Sequence, residues 1–306
     1  ADQIQYFKVT QYFFFKQWTE LKNYANQKGI QIIGDMPIYV AADSVEVWTK
    51  PELFQLDEER NPLFVAGVPA DQFSATGQLW GNPLYAWEEH KKQGYAWWIH
   101  RIEESFKIYD VLRIDHFKGF SDYWQVDGKA EVAKDGSWQP GPGYDLFKAV
   151  KEQLGDLPII AEDLGNIDDK ARKLLTDCNY PGMKILQFGF EDVSGESLDS
   201  PHYCIPHSIV YTGTHDNDVT NGWYNSLTEQ QQQYINDYTH RHEDESICQA
   251  MIRQLFATVS NTAIATMQDV LDLPASSRMN VPSTIGGNWQ WRMQQSDLTQ
   301  DKKDFL

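Results

Sequence analysis

The chain has 306 residues, 41% apolar and 23% charged, which suits a globular protein with one large domain or two small ones. Its formal net charge of −18 argues against nucleic acid and anionic membranes as partners, because both are polyanions. A neutral sugar polymer meets no such repulsion, and the 11 Trp, 15 Tyr and 15 Phe offer rings to stack on it, although most aromatic side chains in any fold are core.

Residues 4–28 carry apolar positions at helical spacing and stop near Gly29. The pattern begins so abruptly after Ala1 that the sequence reads as a cut inside a larger protein. Residues 30–40 predict a buried strand and a turn. Residues 48–85 are rich in Pro, Gly and aromatic residues without a clear period and read as a long, functional loop. A helix is expected over 86–107, with Trp97, Trp98, Ile102 and Phe106 on one side, and then a strand ending at Asp115. Residues 118–144, with Gly-Lys, Asp-Gly and Pro-Gly turn signals, read as a second insertion.

A helix over 145–154 precedes a strand ending at Glu162. A helix over 167–177, capped by Asp168 or Asn166, precedes a strand over 182–188. The next strand ends at Asp216. Residues 227–258 predict two helices broken near 240–243, and 262–269 a last strand before an irregular tail. Six strands alternating with helices mean an α/β fold with a parallel sheet. A doubly wound sheet fits the alternation too, but no Gly-rich turn follows a first strand to hold a dinucleotide. Cys178, Cys204 and Cys248 are far apart and lack metal spacing, which points to a reducing, cytoplasmic compartment. No run reaches the length of a membrane span.

Three apolar runs each lead to an acid: 109–116 to Asp115, 157–165 to Glu162 and 208–217 to Asp216. Acids at the C-terminal ends of parallel strands favour a barrel, where active sites sit at that rim. Glycosidic-bond chemistry needs two carboxylates facing each other across a sugar. Strand alternation puts Arg113 and Asp115 on one face, so the Arg is expected to keep the carboxylate ionised, as a nucleophile requires. It puts Glu162 with Ile160 and Leu164, whose apolar company is expected to raise its pKa toward that of a general acid. His215 and Asp216 bring a polar pair suited to sugar hydroxyls. Any one such acid is more often a helix cap or surface charge; three on a common rim with an Arg partner are not.

Six stretches resemble glycoside hydrolase family 77, the 4-alpha-glucanotransferases known as amylomaltases or disproportionating enzymes. They are Gly34-Asp-Met-Pro-Ile-Tyr-Val40, residues 67–83 from Gly67-Val-Pro to Gly-Asn-Pro83, Leu112-Arg-Ile-Asp-His-Phe-Lys-Gly-Phe120, Ile160-Ala-Glu-Asp-Leu-Gly165, Thr212-Gly-Thr-His-Asp-Asn217 and Asn288-Trp-Gln-Trp-Arg292. The resemblance implies a (β/α)8 TIM barrel with insertions at about 48–85 and 118–144, one catalytic domain over 1–306, no metal and no cofactor. It implies Asp115 as nucleophile, Glu162 as general acid/base and Asp216 as transition-state stabiliser. It implies that Arg113 orients the nucleophile, that Asp35, Tyr39, His116, His215 and Asn280 bind substrate, and that Phe73 and Trp80 contact acceptor glucose units from a gating loop. The implied substrates are α-1,4-glucans and maltooligosaccharides.

The chain departs from the family pattern at Gln72, where a Tyr is usual before the Phe, and at Ser283, where a Gly is usual. The first two barrel strands are also not found, so six strands with edges at 30–34 and 262–269 are expected. Two other functions share these residues: an α-amylase-like hydrolase, and a glucan-binding fragment without turnover.

Overall fold

The structure, a computed structural model, describes residues 2–70, 76–165 and 167–306. The chain divides into two compact units, Ala1–Tyr180 and Pro181–Leu306. Phe73, Gln72 and Asn166 lie outside the described residues.

In the first unit, β1 (Ile33–Met36) pairs with a later strand, Val111–Ile114, which pairs in turn with Ile159–Ala161, all parallel. Between them in sequence stand β2 (Phe64–Val68) and β3 (Gln78–Pro83), so Val111–Ile114 is β4. Strands β5 (Asp122–Asp127) and β6 (Ser137–Pro140) follow, and Ile159–Ala161 is β7. Met36, Leu112, Ile114, Ile159 and Ala161 point into the main core with Trp98 and Ile102 of the helix Ala96–Ile108 and Phe147 and Val150 of the helix Tyr144–Leu154. The alternate residues Asp35, Arg113 and Ile160 lie in register on the other face. The helix Tyr144–Leu154 stops at Gly155, whose φ of 79° suits glycine. Asp168, one of the two expected caps, accepts from the Ala171 amide at 2.9 Å and starts the helix Asp169–Cys178.

Two expectations in this unit need correction. The first insertion is not a structureless loop: β2 and β3 pair with β5 and β6 of the second insertion in one antiparallel sheet, ordered β3-β2-β5-β6. Its small core is Val65, Trp124, Val126 and Ala133, and the Trp124 indole donates to the Ala133 carbonyl at 2.7 Å. The expected helix over 86–107 is two, Trp87–Lys92 and Ala96–Ile108, because Gly94 (φ 61°) and Tyr95 (φ 58°) both turn left-handed. The helix Asp2–Gln27 does form, but buries none of its residues. Trp18 Nε1 donates to the Ile108 carbonyl and Lys22 pairs with Asp110, which ties down its second half.

In the second unit, β8 (Gly182–Ile185), β9 (Ser208–Tyr211) and β10 (Thr262–Ile264) form a parallel sheet ordered β10-β9-β8. Leu186, Phe190 and Val210 pack with Trp223, Ile235, Ile247, Met251 and Leu255. The helices Glu229–Thr239 and Ile247–Phe256 open with capping boxes, Thr228 with Gln231 and Ser246 with Gln249, and the break between them falls where expected. All three strands are shorter than predicted, β9 ending at Tyr211. After Ile185 the chain turns into the helix Leu186–Glu191, where Gly189 lies so close to the Asp199 backbone that a Cβ would sit 2.6 Å from its carbonyl oxygen. After Ile264, Thr266 caps the helix Met267–Val270 by accepting from the Asp269 amide. Within their own sheets, β1 and β10 both stand at an end of the strand order. No helix among the described residues is long and apolar enough to cross a membrane.

Candidate active site

The parallel register of the first unit determines which side chains meet. Asp35 is opposite Arg113, and Ile114 is opposite Ala161, so Asp115 and Glu162 follow one step beyond the paired ends of β4 and β7. The Asp115 amide still donates to the Met36 carbonyl and the Glu162 amide to the Ile114 carbonyl, both at 3.0 Å. Both acids therefore leave the sheet from ordered backbone.

Arg113 is buried and forks between two carboxylates. Its Nη1 lies 2.6 Å from Asp35 Oδ1 and its Nη2 2.9 Å from Asp115 Oδ1. Burial works against its charge, but Asp35, Asp115 and Glu162 outweigh it, so the guanidinium is held more firmly protonated than usual. Fixing Asp115 this way aims its outer oxygen, and the carboxylate is about 42% exposed.

Glu162 is built differently. Its Oε2 accepts from the His116 amide and its Oε1 from the Leu164 amide, each at 2.8 Å. These bonds and Arg113 favour the charged form. Burial and the charge of Asp115 win over them and push its pKa up to about 7. Apolar neighbours were the expected cause; burial is indeed the largest, with the nearby nucleophile candidate second.

His116 takes a left-handed φ of 49°, and burial brings its imidazole down to about 4, against the pull of Asp115. Its ring stands edge-on to Trp80, centroids 4.8 Å apart. Tyr39 is buried, tilts on Trp80 and stacks on Tyr85 at 6.0 Å, and its hydroxyl is held neutral by that burial. A cleft of about 150 Å³ is lined by Pro37, Ile38, Tyr39, Trp80, Asn82, Asp115 and His116. Sequence reasoning passed over two supports of this wall. Arg101 donates to the Pro37 carbonyl at 2.7 Å and the Ile38 carbonyl at 3.1 Å, and Asn82 donates to the Val40 carbonyl at 2.9 Å.

The second unit holds His215, Asp216 and Asn280. Asp216 is not at the strand end as expected: β9 stops at Tyr211, and Asp216 sits in a turn closed by Asn217 Oδ1, which accepts from the Thr214 amide and hydroxyl. The acid is aimed from elsewhere in the chain. Asn280 Nδ2 donates to Asp216 Oδ1 at 2.7 Å, and Arg278 donates to the Asp216 carbonyl at 2.7 Å. His215 Nε2 lies 3.4 Å from Asp216 Oδ2. Arg278 was missed from sequence, since only its distance along the chain, not its pattern, hides the contact.

Among the described residues one group has metal-ligand types within reach of one another, His100, Glu103 and Glu104, all exposed on the helix Ala96–Ile108. Lys107 already pairs with Glu104 there.

A family model described as 4-alpha-glucanotransferase, glycoside hydrolase 77, matches residues 1–299. The chain belongs to that family. It is 54% identical over 300 residues to the 4-alpha-glucanotransferase of Streptococcus pneumoniae serotype 4, covering 98% of this chain and 59% of that protein. Against the 4-alpha-glucanotransferase of Clostridium butyricum it is 44% identical over 304 residues, covering 98% and 62%. Among solved structures, the amylomaltase from Streptococcus agalactiae in complex with acarbose matches with a TM-score of 0.97 and 60% identity, over 99% of this chain and 61% of that one. The amylomaltase from Corynebacterium glutamicum, 16% identical with a TM-score of 0.72, shares the fold. The fold is thus the α/β fold of glycoside hydrolase family 77, and the chain spans about 60% of the length of these bacterial family members.

Proposed function

We propose that the protein transfers segments of α-1,4-glucan to the 4-hydroxyl of an acceptor sugar, with retention, through a covalent glucosyl-enzyme. The single observation that carries the reading is the pairing of an Arg-clamped carboxylate, Asp115, with Glu162, whose pKa stands near 7. A retaining glycosidic mechanism needs such a pair, one acid charged and one able to hold a proton. Membership of the family and the acarbose-bound relative support the glucan as substrate.

In this reading Asp115 attacks the anomeric carbon while Glu162 protonates the departing glycosidic oxygen. Attack consumes the Asp115 charge. One of the causes that raise the Glu162 pKa then disappears, so Glu162 becomes a better-charged base just when the acceptor hydroxyl must be deprotonated. Asp216, held by Asn280, stabilises the positive charge that develops on the sugar. Asp35, Tyr39, His116 and His215 bind sugar hydroxyls, while Trp80 and Phe73 take acceptor rings and exclude water.

We infer further that the parallel strands belong to one (β/α)8 barrel whose C-terminal rim carries the three acids. The strand–helix order and the acids at the ends of β4 and β7 support this. The three cysteines are free thiols, in keeping with a cytoplasmic location. The test is maltotriose as sole substrate: glucose together with longer chains supports transfer, shortening alone an α-amylase-like hydrolase, and binding without turnover a glucan-binding protein.

A further inference from the structure

In the stretch Asn288-Trp-Gln-Trp-Arg292, Trp289 has three features that point to a role in binding. Its backbone is left-handed, with a φ of 62°, a conformation that a bulky aromatic residue adopts only at a cost in free energy. It is about half exposed, 52%, so burial of the indole does not offset that cost. And it stands against His215, ring centroids 5.1 Å apart and tilted by 42°, at the edge of a cavity of about 230 Å³.

The surroundings hold the strained residue on purpose. The Trp289 amide donates to the Met279 carbonyl at 2.7 Å. Asn288 Oδ1 accepts from the Val281 amide at 3.0 Å, and Asn288 Nδ2 donates to Thr284 Oγ1 at 3.1 Å. Gly286 and Gly287, both with positive φ, let the loop turn back on itself. The segment that receives Trp289 is also the segment that aims Asp216: Arg278 and Asn280, on either side of Met279, both donate to Asp216. Besides the indole, the cavity is lined by the polar side chains of Thr214, His215, Asn217, Asp218 and Gln268. An aromatic face set against polar groups is the chemistry that binds a pyranose, whose C–H face is apolar and whose rim is hydroxyls.

We propose that Trp289 is a sugar-stacking platform, on which one glucose ring of the bound glucan lies beside Asp216. This rests on the reading of the protein as an α-glucan enzyme. Trp289 is a substrate-binding residue; it takes no proton and forms no bond. The strain is tolerated because the loop must offer the ring to the cavity, and relieving it separates the two roles that a structural residue would combine.

The experiment compares Trp289→Gly and Trp289→Phe with the parent in the intact protein, reading KM and kcat for maltotriose disproportionation and the thermal midpoint. Glycine removes the platform and the strain together. The expected result is a KM raised by about tenfold, the size of one stacking contact, with kcat changed less than about threefold. The thermal midpoint should be equal to or above the parent's. Phenylalanine keeps a smaller face and should raise KM only a few-fold. An unchanged KM in Trp289→Gly overturns the platform, as does a fall of thermal midpoint and kcat with KM unmoved. If the glycine variant does not fold, Trp289→Phe decides alone: a raised KM at the parent's midpoint supports the platform, and an unmoved KM overturns it. A parent protein with no turnover of maltotriose would instead overturn the underlying function.

Discussion

The two units deliver their acids by different means. Asp115 and Glu162 leave adjacent parallel strands one step past a fixed register, and a buried Arg113 forks between Asp115 and Asp35. Asp216 leaves a turn, and its direction is set by Asn280 and Arg278, more than sixty residues further along the chain. The first arrangement is stiff, because moving either acid would break ladder hydrogen bonds. The second depends on a few side-chain bonds at a half-exposed surface. The contrast matches the roles assigned to them. Covalent chemistry and proton transfer tolerate little displacement, whereas electrostatic stabilisation falls off more gently with distance.

The contrast is broken most severely at the proposed nucleophile. Asp115→Asn keeps the shape and the Arg113 contact but removes the attacking charge, so disproportionation of maltotriose should fall by at least about four orders of magnitude. Mass spectrometry of the intact protein should then find no glucosyl adduct. Retention of near-parent activity would remove Asp115 from its role. Next in size is Glu162→Gln, expected to cost roughly a hundred- to ten-thousand-fold on glucans. A donor such as a glucosyl fluoride, whose leaving group needs no proton, should react in the first step at close to the parent rate. Equal damage with both donors contradicts the proton-transfer role.

A smaller effect is expected in the second unit. Asn280→Ala frees Asp216 Oδ1 from its 2.7 Å partner, and transfer should slow by roughly ten- to a hundred-fold through misaiming. Thermal stability should be nearly unchanged, because the contact is half-exposed. A loss as large as that of Asp115→Asn would mean that the turn-built acid is as stringently placed as the strand-built ones.

The smallest expected effect concerns stability against pH. Glu162 goes from 4.5 to about 7 on folding, so between these values the native state holds a proton that the unfolded state has lost. Its contribution to stability therefore falls as pH rises through that window. His116 and His90 run the other way: burial brings each from 6.5 to about 4, so stability rises with pH between those values. Glu162→Gln removes only the first contribution. Relative to the parent it should gain on the order of 1–3 kcal/mol between pH 4.5 and pH 8, read from urea midpoints at the two ends. An identical difference at both ends would show that Glu162 is not protonated in the native state at low pH any more than in the unfolded one.

Legibility in the sequence follows the same division. Asp115, Arg113 and Glu162 were readable because strand alternation assigns faces over a few residues, and the register does the rest. Asp216 was found as a residue but given the wrong element, since a polar run after an apolar strand looks the same whether the strand continues or turns. The bonds from Asn280 and Arg278 that aim it are long-range, and no local pattern announces them. The antiparallel sheet of the insertions was hidden for that reason too: Val65 pairs with Val126, about sixty positions away. The break at Gly94–Tyr95 was hidden by the periodicity of the helices on either side, which continues across it. The left-handed backbone of Trp289 leaves no mark in a sequence, because a tryptophan there argues against it.

The most direct test of the account is a titration of the Glu162 carboxyl by carbon-13 NMR in the parent and in Asp115→Asn, with Glu162→Gln to assign the signal. The account predicts a pKa near 7 in the parent, lowered in Asp115→Asn because one of the causes that raise it is gone. A parent value near the ordinary 4.5, or a raised value that Asp115→Asn leaves in place, would contradict the coupling between the two acids on which the proposed transfer mechanism depends.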